Sequence, residues 1–319
     1  MKNLQWRSLN WNPRVRDIFV ESLLDLAKAD SRVILITADL GFGLFDEFRN
    51  QLPSQFLNVG VAEQNMIGVA SGLALEGFIP YCYSIANFSF MRCLEQIRND
   101  VCYHDLSVNI VSNGAGFSYG PLGMSHHATE DISIMRALPN IEVLVPATLE
   151  NAAEIAKYSS TNGKPNYIRL DKSFINNKLK VDEYEPWQLV REGSGICILA
   201  IGGITEEAIS AADYLAEKSG KLVRVISVVR MINLDKQQLL KYLRDINLII
   251  TIEENVKSGG FGSYILEQLA ENEINIRVKI HAIEDKYESV VGDQKYLRAL
   301  NKLTSMDLLE TIKHTKRDW

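Results

Sequence analysis

Val59-Gly60-Val61-Ala62-Glu63-Gln64-Asn65-Met66 decides how this 319-residue chain is read. A strand-like segment, Phe56-Leu57-Asn58-Val59, leads in. Ile67-Gly68-Val69-Ala70-Ser71-Gly72-Leu73-Ala74-Leu75 follows as a tightly packed helix. Gly68 and Gly72 share one helix face, where missing side chains permit close backbone approach. Glu63 is the carboxylate of this run. At the mouth of a strand-to-helix turn it is expected to meet something specific, because an unpaired buried carboxylate is costly.

Working outward, Arg14 to Ala29 has the spacing of an amphipathic helix, with Val15, Phe19, Leu23, Leu26 and Ala27 on one side. Val33-Ile34-Leu35-Ile36-Thr37 is a short β-branched run, the pattern of a strand buried on both faces. Val108 to Val111 and Val143 to Val145 resemble it. Helical stretches fall at Glu63–Leu75, Met91–Tyr103 and Leu149–Ser159, the last opened by Pro146 and an N-cap at Thr148. Alternating strands and helices predict an α/β fold with a parallel sheet covered on both faces. A polar stretch with Pro186 reads as a linker over residues 175–192, separating a first domain at 1–174 from a second at 193–319. The second repeats the cycle, with strands at Ile196–Ile201, Leu222–Val228 and Leu248–Ile252 and a helix from Thr205 to Lys218.

Bulk properties narrow the function classes. The chain is 46% hydrophobic and 23% charged, with a net charge of −6. That gives no basic footprint for nucleic acid. No apolar run reaches the roughly 18–20 residues that a membrane span needs, and the first residues lack a signal-peptide core. The four cysteines, Cys82, Cys93, Cys102 and Cys197, have no metal-ligand spacing and read as reduced thiols of a cytoplasmic protein.

Several local patterns carry two readings each. Gly114-x-Gly116 and Gly259-Gly260-x-Gly262 complete neither a dinucleotide fingerprint nor a Walker loop. They read as tight turns, with an anion at the second helix N-terminus as the alternative. Gly120-Pro121-Leu122-Gly123-Met124-Ser125-His126-His127 is a loop running into a helix, capped by Ser125 or Thr129. Its adjacent histidines point differently, so they form no helical metal pair. His126 fits either a structural role or a ligand contact beyond a strand's C-terminal end. Phe88 and Phe90 fit either the core or a ring face for a planar ligand.

Together and in order, these pieces resemble the C-terminal half of the transketolase family: a pyrimidine-binding domain followed by the C-terminal domain of thiamine diphosphate enzymes. The likeness is greatest to the separately encoded small subunit of two-subunit transketolases. It is carried by Thr37-Ala38-Asp39-Leu40, Val59 to Met66, Arg92 with Glu95 to Asn99, and Ser125-His126 with Glu130-Asp131. Met135 to Asn140, Val145-Pro146-Ala147, Tyr167 to Leu170, and Ile252-Glu253-Glu254 with Gly259 to Gly262 add to it.

The resemblance implies thiamine diphosphate as cofactor. Its aminopyrimidine acts as base in the imino form, reached when a glutamate hydrogen-bonds the opposite ring nitrogen. It puts Glu63 in that role, Phe88 against the pyrimidine with Ile85, Met91 and Arg92 nearby, and His126 facing a substrate oxygen. Ile85 replaces an aromatic often found there. The family's Gly-Asp-Gly…Asn segment, which holds the diphosphate through Mg2+ or Ca2+, is absent; Val291-Gly292-Asp293 lacks its second glycine. The chain is therefore expected to hold half a cofactor site. An N-terminal-half partner subunit would hold the metal and complete an α2β2 assembly.

Departures concern the substrate. A substrate-reading aspartate of the family falls on Leu122, a histidine on Gly114, a phosphate-binding arginine on Lys172 and a serine near Gly43. Arg16 keeps its counterpart. Lysine replaces bidentate arginine poorly. The expected acceptor is therefore not an ordinary aldose phosphate but another small sugar or keto compound, such as a nucleotide-linked keto sugar. A 2-oxo acid dehydrogenase beta chain and an inactive module of the same fold are the alternatives. Asn255, where the family often has histidine, receives no role.

Overall fold

The computed structural model describes residues 13–175 and 185–316. The strands are β1 Val33–Thr37, β2 Phe56–Asn58, β3 Ile79–Ile85, β4 Asn109–Asn113, β5 Glu142–Leu144, β6 Asn166–Leu170, β7 Trp187–Arg191, β8 Gly195–Ile201, β9 Arg224–Val228, β10 Arg230–Met231, β11 Ile246–Val256 and β12 Arg277–Ile283. They form two sheets. The seven-stranded one has the order β10-β5-β6-β4-β3-β1-β2 and the five-stranded one the order β12-β11-β8-β9-β7.

Each sheet is parallel apart from one edge: β10 runs antiparallel to β5, and β7 antiparallel to β9. The expected α/β architecture of two parallel-sheet domains is thus observed, with mixed edges. β1 is buried throughout, as its apolar run demands. Thr148 caps its helix, accepting from the Asn151 amide at 3.0 Å. No described helix is long and apolar enough to cross a membrane.

Three sequence expectations need correction. The interval expected to be linker contains β7, whose Trp187 is buried and packs in the core shared by both sheets; residues 176–184 of that interval lie outside the described residues. The helix expected over Met91–Tyr103 is broken. A helix at Ala86–Phe90 gives way to Leu94–Gln96 and then to a widened π turn at Ile97–Cys102. Gly68 and Gly72 lie on an open face, and a Cβ at either would meet nothing within 4 Å. No described residue makes a close approach along that face.

The two halves are joined by apolar and polar contacts. One core runs from Ile36 and Ile110 of the first sheet through Trp187 to Leu199 and Ile249 of the second. Beside it, the Glu253-Glu254-Asn255 segment of β11 crosses the boundary. Glu254 accepts from the Phe117 amide at 2.7 Å and from Arg298 Nε at 2.8 Å. Arg298 also lies 3.5 Å from Asp171, which takes hydrogen bonds from Ser118 and Gln294. Asn255 accepts from the Ile132 amide at 3.2 Å and donates to Ser133 Oγ at 2.8 Å. The asparagine without a sequence-based role is therefore a bridge between the halves.

Glu253 answers the glycine-loop question. It accepts from the Phe261 and Gly262 amides at 2.5 and 2.7 Å, so the protein's own carboxyl fills this helix N-terminus. A Cβ at Gly260 would stand 2.4 Å from that carboxyl, which requires glycine there. Burial pushes Glu253 up to about 8 despite these two donors.

Candidate active site

The candidate residues follow the C-terminal ends of parallel strands of one sheet, where open α/β sheets bind ligands. Beyond β2, Glu63 begins the Glu63–Leu75 helix. It is 4% exposed, and its Oε2 accepts from Arg92 at 2.8 Å, while Oε1 takes no hydrogen bond from a described residue. Gln64 donates to the Arg92 carbonyl at 3.0 Å and so pins the arginine's backbone.

Beyond β3, Phe88 lies on the Ala86–Phe90 helix, with Ile85 at the strand's last position and Met91 just past the helix, 44% exposed. The Arg92 guanidinium lies 4.6 Å from the Phe88 ring centroid. The ring meets His126 edge-on at 5.3 Å. Glu63, Arg92, Phe88 and His126 therefore form one continuous series of contacts.

His126 ends a short helical turn at Met124–His126. Its Nδ1 pairs with Ser125 Oγ at 3.0 Å. His127 differs: it is buried, its Nε2 pairs with the Gly120 carbonyl at 3.2 Å, and its ring packs on Phe117. Neither Ser125 nor Thr129 caps the next helix, which begins at Asp131 after Glu130. Sequence reasoning passed over Asn87, which donates to the Ser125 and His127 carbonyls at 3.1 and 2.6 Å. It ties the histidine loop to the Phe88 helix. An asparagine beside an aromatic had no local signal for this contact.

The substrate-side candidates gather around Tyr119, which the sequence reading also missed. Lys172 Nζ lies 4.1 Å from its ring centroid. A Cβ at Gly114 (φ +101) would collide with that ring at 2.1 Å. Leu122 is 55% exposed on the same loop. Arg16 lies in the first turn of the Val15–Ala29 helix, 3.4 Å from Asp17. Among the described residues its Nε has no hydrogen-bond partner, and neither has the buried Tyr83 hydroxyl. No group of three potential metal ligands occurs among the described residues.

Lys172 reports the local charge. Partial desolvation, then the charges of Arg14 and Arg16, hold its ammonium below the ordinary lysine value of 10.5. The charged form is disfavoured, so the reactive free amine is populated at lower pH. Reductive methylation of Lys172, followed by mass spectrometry, is expected to reach half its maximal rate below pH 10.5. Arg16→Gln should move that midpoint upward. An unchanged midpoint would show that Arg16 does not act on Lys172.

The sequence matches the family described as "Transketolase, pyrimidine binding domain" over residues 12–177 and "Transketolase, C-terminal domain" over residues 185–299. It is 33% identical over 287 residues to one subunit of the apulose-4-phosphate transketolase of Actinobacillus succinogenes, covering 88% of this chain and 92% of that protein. It is 35% identical over 302 residues to 1-deoxy-D-xylulose-5-phosphate synthase of Clostridium perfringens; there it covers 92% of this chain but spans only 48% of that protein. Among solved structures, a split-gene transketolase in an inactive β4 tetramer superposes with a TM-score of 0.84 at 31% identity, covering 95% of this chain and 98% of that one. The chain belongs to the transketolase family, as a pyrimidine-binding domain followed by a transketolase C-terminal domain.

Proposed function

We propose that this chain is the pyrimidine-binding subunit of a two-subunit transferase that moves a two-carbon unit with thiamine diphosphate shared across a subunit boundary. The observation that carries the reading is Glu63: a nearly buried carboxylate with one oxygen fixed by Arg92 and the other taking no hydrogen bond from a described residue, in a contact series with Phe88 and His126. These residues fit the pyrimidine half of the cofactor. Thiamine diphosphate, when bound, supplies the nucleophilic carbon that carries the two-carbon unit.

The chain's own residues divide the remaining work. Glu63 Oε1 would share a proton with a ring nitrogen, which needs a pre-positioned carboxyl shielded from water. Arg92 fixes the other oxygen. Phe88, flanked by Ile85 and Met91, would pack on the pyrimidine. With Ser125 as the donor to His126 Nδ1, the ring proton would sit on Nε2, where it can donate to a substrate oxygen. Asn87 keeps that loop in register with Phe88. Arg16 and Lys172 attract an anionic group, while Leu122 and Gly114 withhold polar contacts nearer the reacting carbons. That combination suits a keto or sugar compound carrying phosphate or a nucleotide better than an ordinary aldose phosphate. Two relatives bear names of sugar-phosphate enzymes, which supports the anionic part of this reading.

The partner subunit would hold the diphosphate with Mg2+ or Ca2+ and complete an α2β2 assembly. Exposed apolar residues support an interface here: Phe42 is 86%, Val61 76%, Leu122 55% and Met124 55% exposed, all in segments that follow strand C-termini. The relationship to a split-gene transketolase points the same way.

The test is reconstitution with an N-terminal-half transketolase subunit. The pair should bind thiamine diphosphate and turn over substrate, and this chain alone should do neither. Ribose 5-phosphate with xylulose 5-phosphate should be used poorly. Ordinary turnover of that couple would remove the acceptor part of the reading, and full activity without the partner would remove the shared site.

A further inference from the structure

We propose that Tyr119 is the specificity-determining residue of this cleft, selecting an anionic substrate whose middle carbons carry few hydroxyls. The inference rests on reading the cleft as a two-carbon-transfer site and names the substrate class that site takes.

The ring's placement carries the argument. Two Tyr119 ring carbons lie 2.1 and 2.2 Å from where a Cβ at Gly114 would stand. Tyr119 therefore occupies the volume that a side chain at position 114 would need, and the positive φ of Gly114 favours glycine independently. The ring is held from several directions. Its hydroxyl accepts from Asn113 Nδ2 at 2.6 Å, at the end of β4. Lys172 Nζ lies over its face at 4.1 Å. His126 meets it edge-on at 6.4 Å.

Tyr119 thus stands between the histidine that faces the reacting oxygen and the cation that attracts the anionic group. A substrate engaging both must pass along this ring, with exposed Leu122 on the same loop. An aromatic face and a leucine offer contacts to C–H groups. They offer little to a hydroxyl that has lost its water, and an unmade hydrogen bond there weakens binding. The Tyr119 proton donates to no described residue and serves at most one substrate oxygen. Discrimination of about tenfold per buried hydroxyl is the scale to expect from such a wall.

The experiment uses the reconstituted pair. Calorimetry measures the Kd of ribose 5-phosphate and of 2-deoxyribose 5-phosphate, and kcat/KM is measured for each with hydroxypyruvate as donor. Wild type should favour the deoxy compound. Tyr119→Ala should shift the ratio toward ribose 5-phosphate by about tenfold, while Tyr119→Phe, which keeps the ring, should retain the wild-type preference. Should the alanine variant fold poorly, Tyr119→Leu, which keeps apolar volume over Gly114 but removes the outer ring, should give the same direction of shift.

An unchanged ratio in a folded alanine or leucine variant overturns the proposal. So does a wild-type pair that binds neither sugar phosphate. A pair that binds both sugar phosphates but no thiamine diphosphate overturns the transfer reading instead, and the Kd ratio still judges Tyr119 separately.

Discussion

Glu63→Gln is expected to lower kcat of the reconstituted enzyme by about 10²- to 10⁴-fold, the range that a positioned acid–base group contributes. The substitution keeps the shape of the side chain and removes only the ability to share a proton. Its structural cost should be small. Arg92, which loses its counter-charge, is 48% exposed and can be solvated by water. The amide oxygen can still accept from Arg92, and burying a neutral amide costs less than burying a charge. The urea midpoint should therefore stay near that of wild type while activity falls. An inactive module of the same fold predicts that no function is lost. A fall in midpoint large enough to explain the lost activity would make Glu63 a structural residue.

The second large effect lies at the boundary between the two halves. Arg298 has a side chain only 3% exposed and contacts Glu254 and Asp171, whose side chains are 1% and 2% exposed. Arg298→Met should reduce stability by about 3–5 kcal/mol, because it leaves two buried carboxylates without their cation. The pair's ionisation states show the dependence. Burial works against the Asp171 carboxylate, yet Arg298, Gln294 and Ser118 hold it below its ordinary value. Burial raises Glu254, against the pull of Arg298.

Adding Glu254→Gln to Arg298→Met should recover part of the loss, since one unpaired charge is then gone. A double-mutant cycle by urea unfolding measures this coupling. Additive losses would mean that the two groups do not act together. Ser118 and Asp171 precede Tyr119 and Lys172 in the chain, so Arg298→Met should also weaken sugar-phosphate binding.

Local patterns made the scaffold legible. β1 is a short β-branched run buried on both faces, Thr148 sits at a cap position, and Glu63 begins its helix where the strand-to-helix turn put it. β3 escaped notice because Pro80 interrupts it. Proline is disfavoured inside a sheet, and here it pairs beside Ile34 near the strand's start. β10 is two residues long and joins a sheet built from the other half of the chain, which no local pattern encodes.

The site divides in the same way. Glu63, Phe88 and His126, singled out by their ordered motifs, fall in one series of contacts. Asn87, Tyr119 and the Glu254–Arg298–Asp171 cluster were not, because each acts through contacts with residues distant in sequence or across a loop whose path the sequence leaves open. Gly68 and Gly72 were legible as a small-residue face, which no described residue covers.

The central claim is that Glu63 directs the cofactor within a cleft that needs a second polypeptide. A crystal structure of the reconstituted pair with thiamine diphosphate tests it most directly. The account predicts the Glu63 carboxyl within hydrogen-bond distance of a pyrimidine ring nitrogen, with the diphosphate and its metal held by the partner. A pyrimidine bound away from Glu63, or a cofactor enclosed by this chain alone, would contradict it.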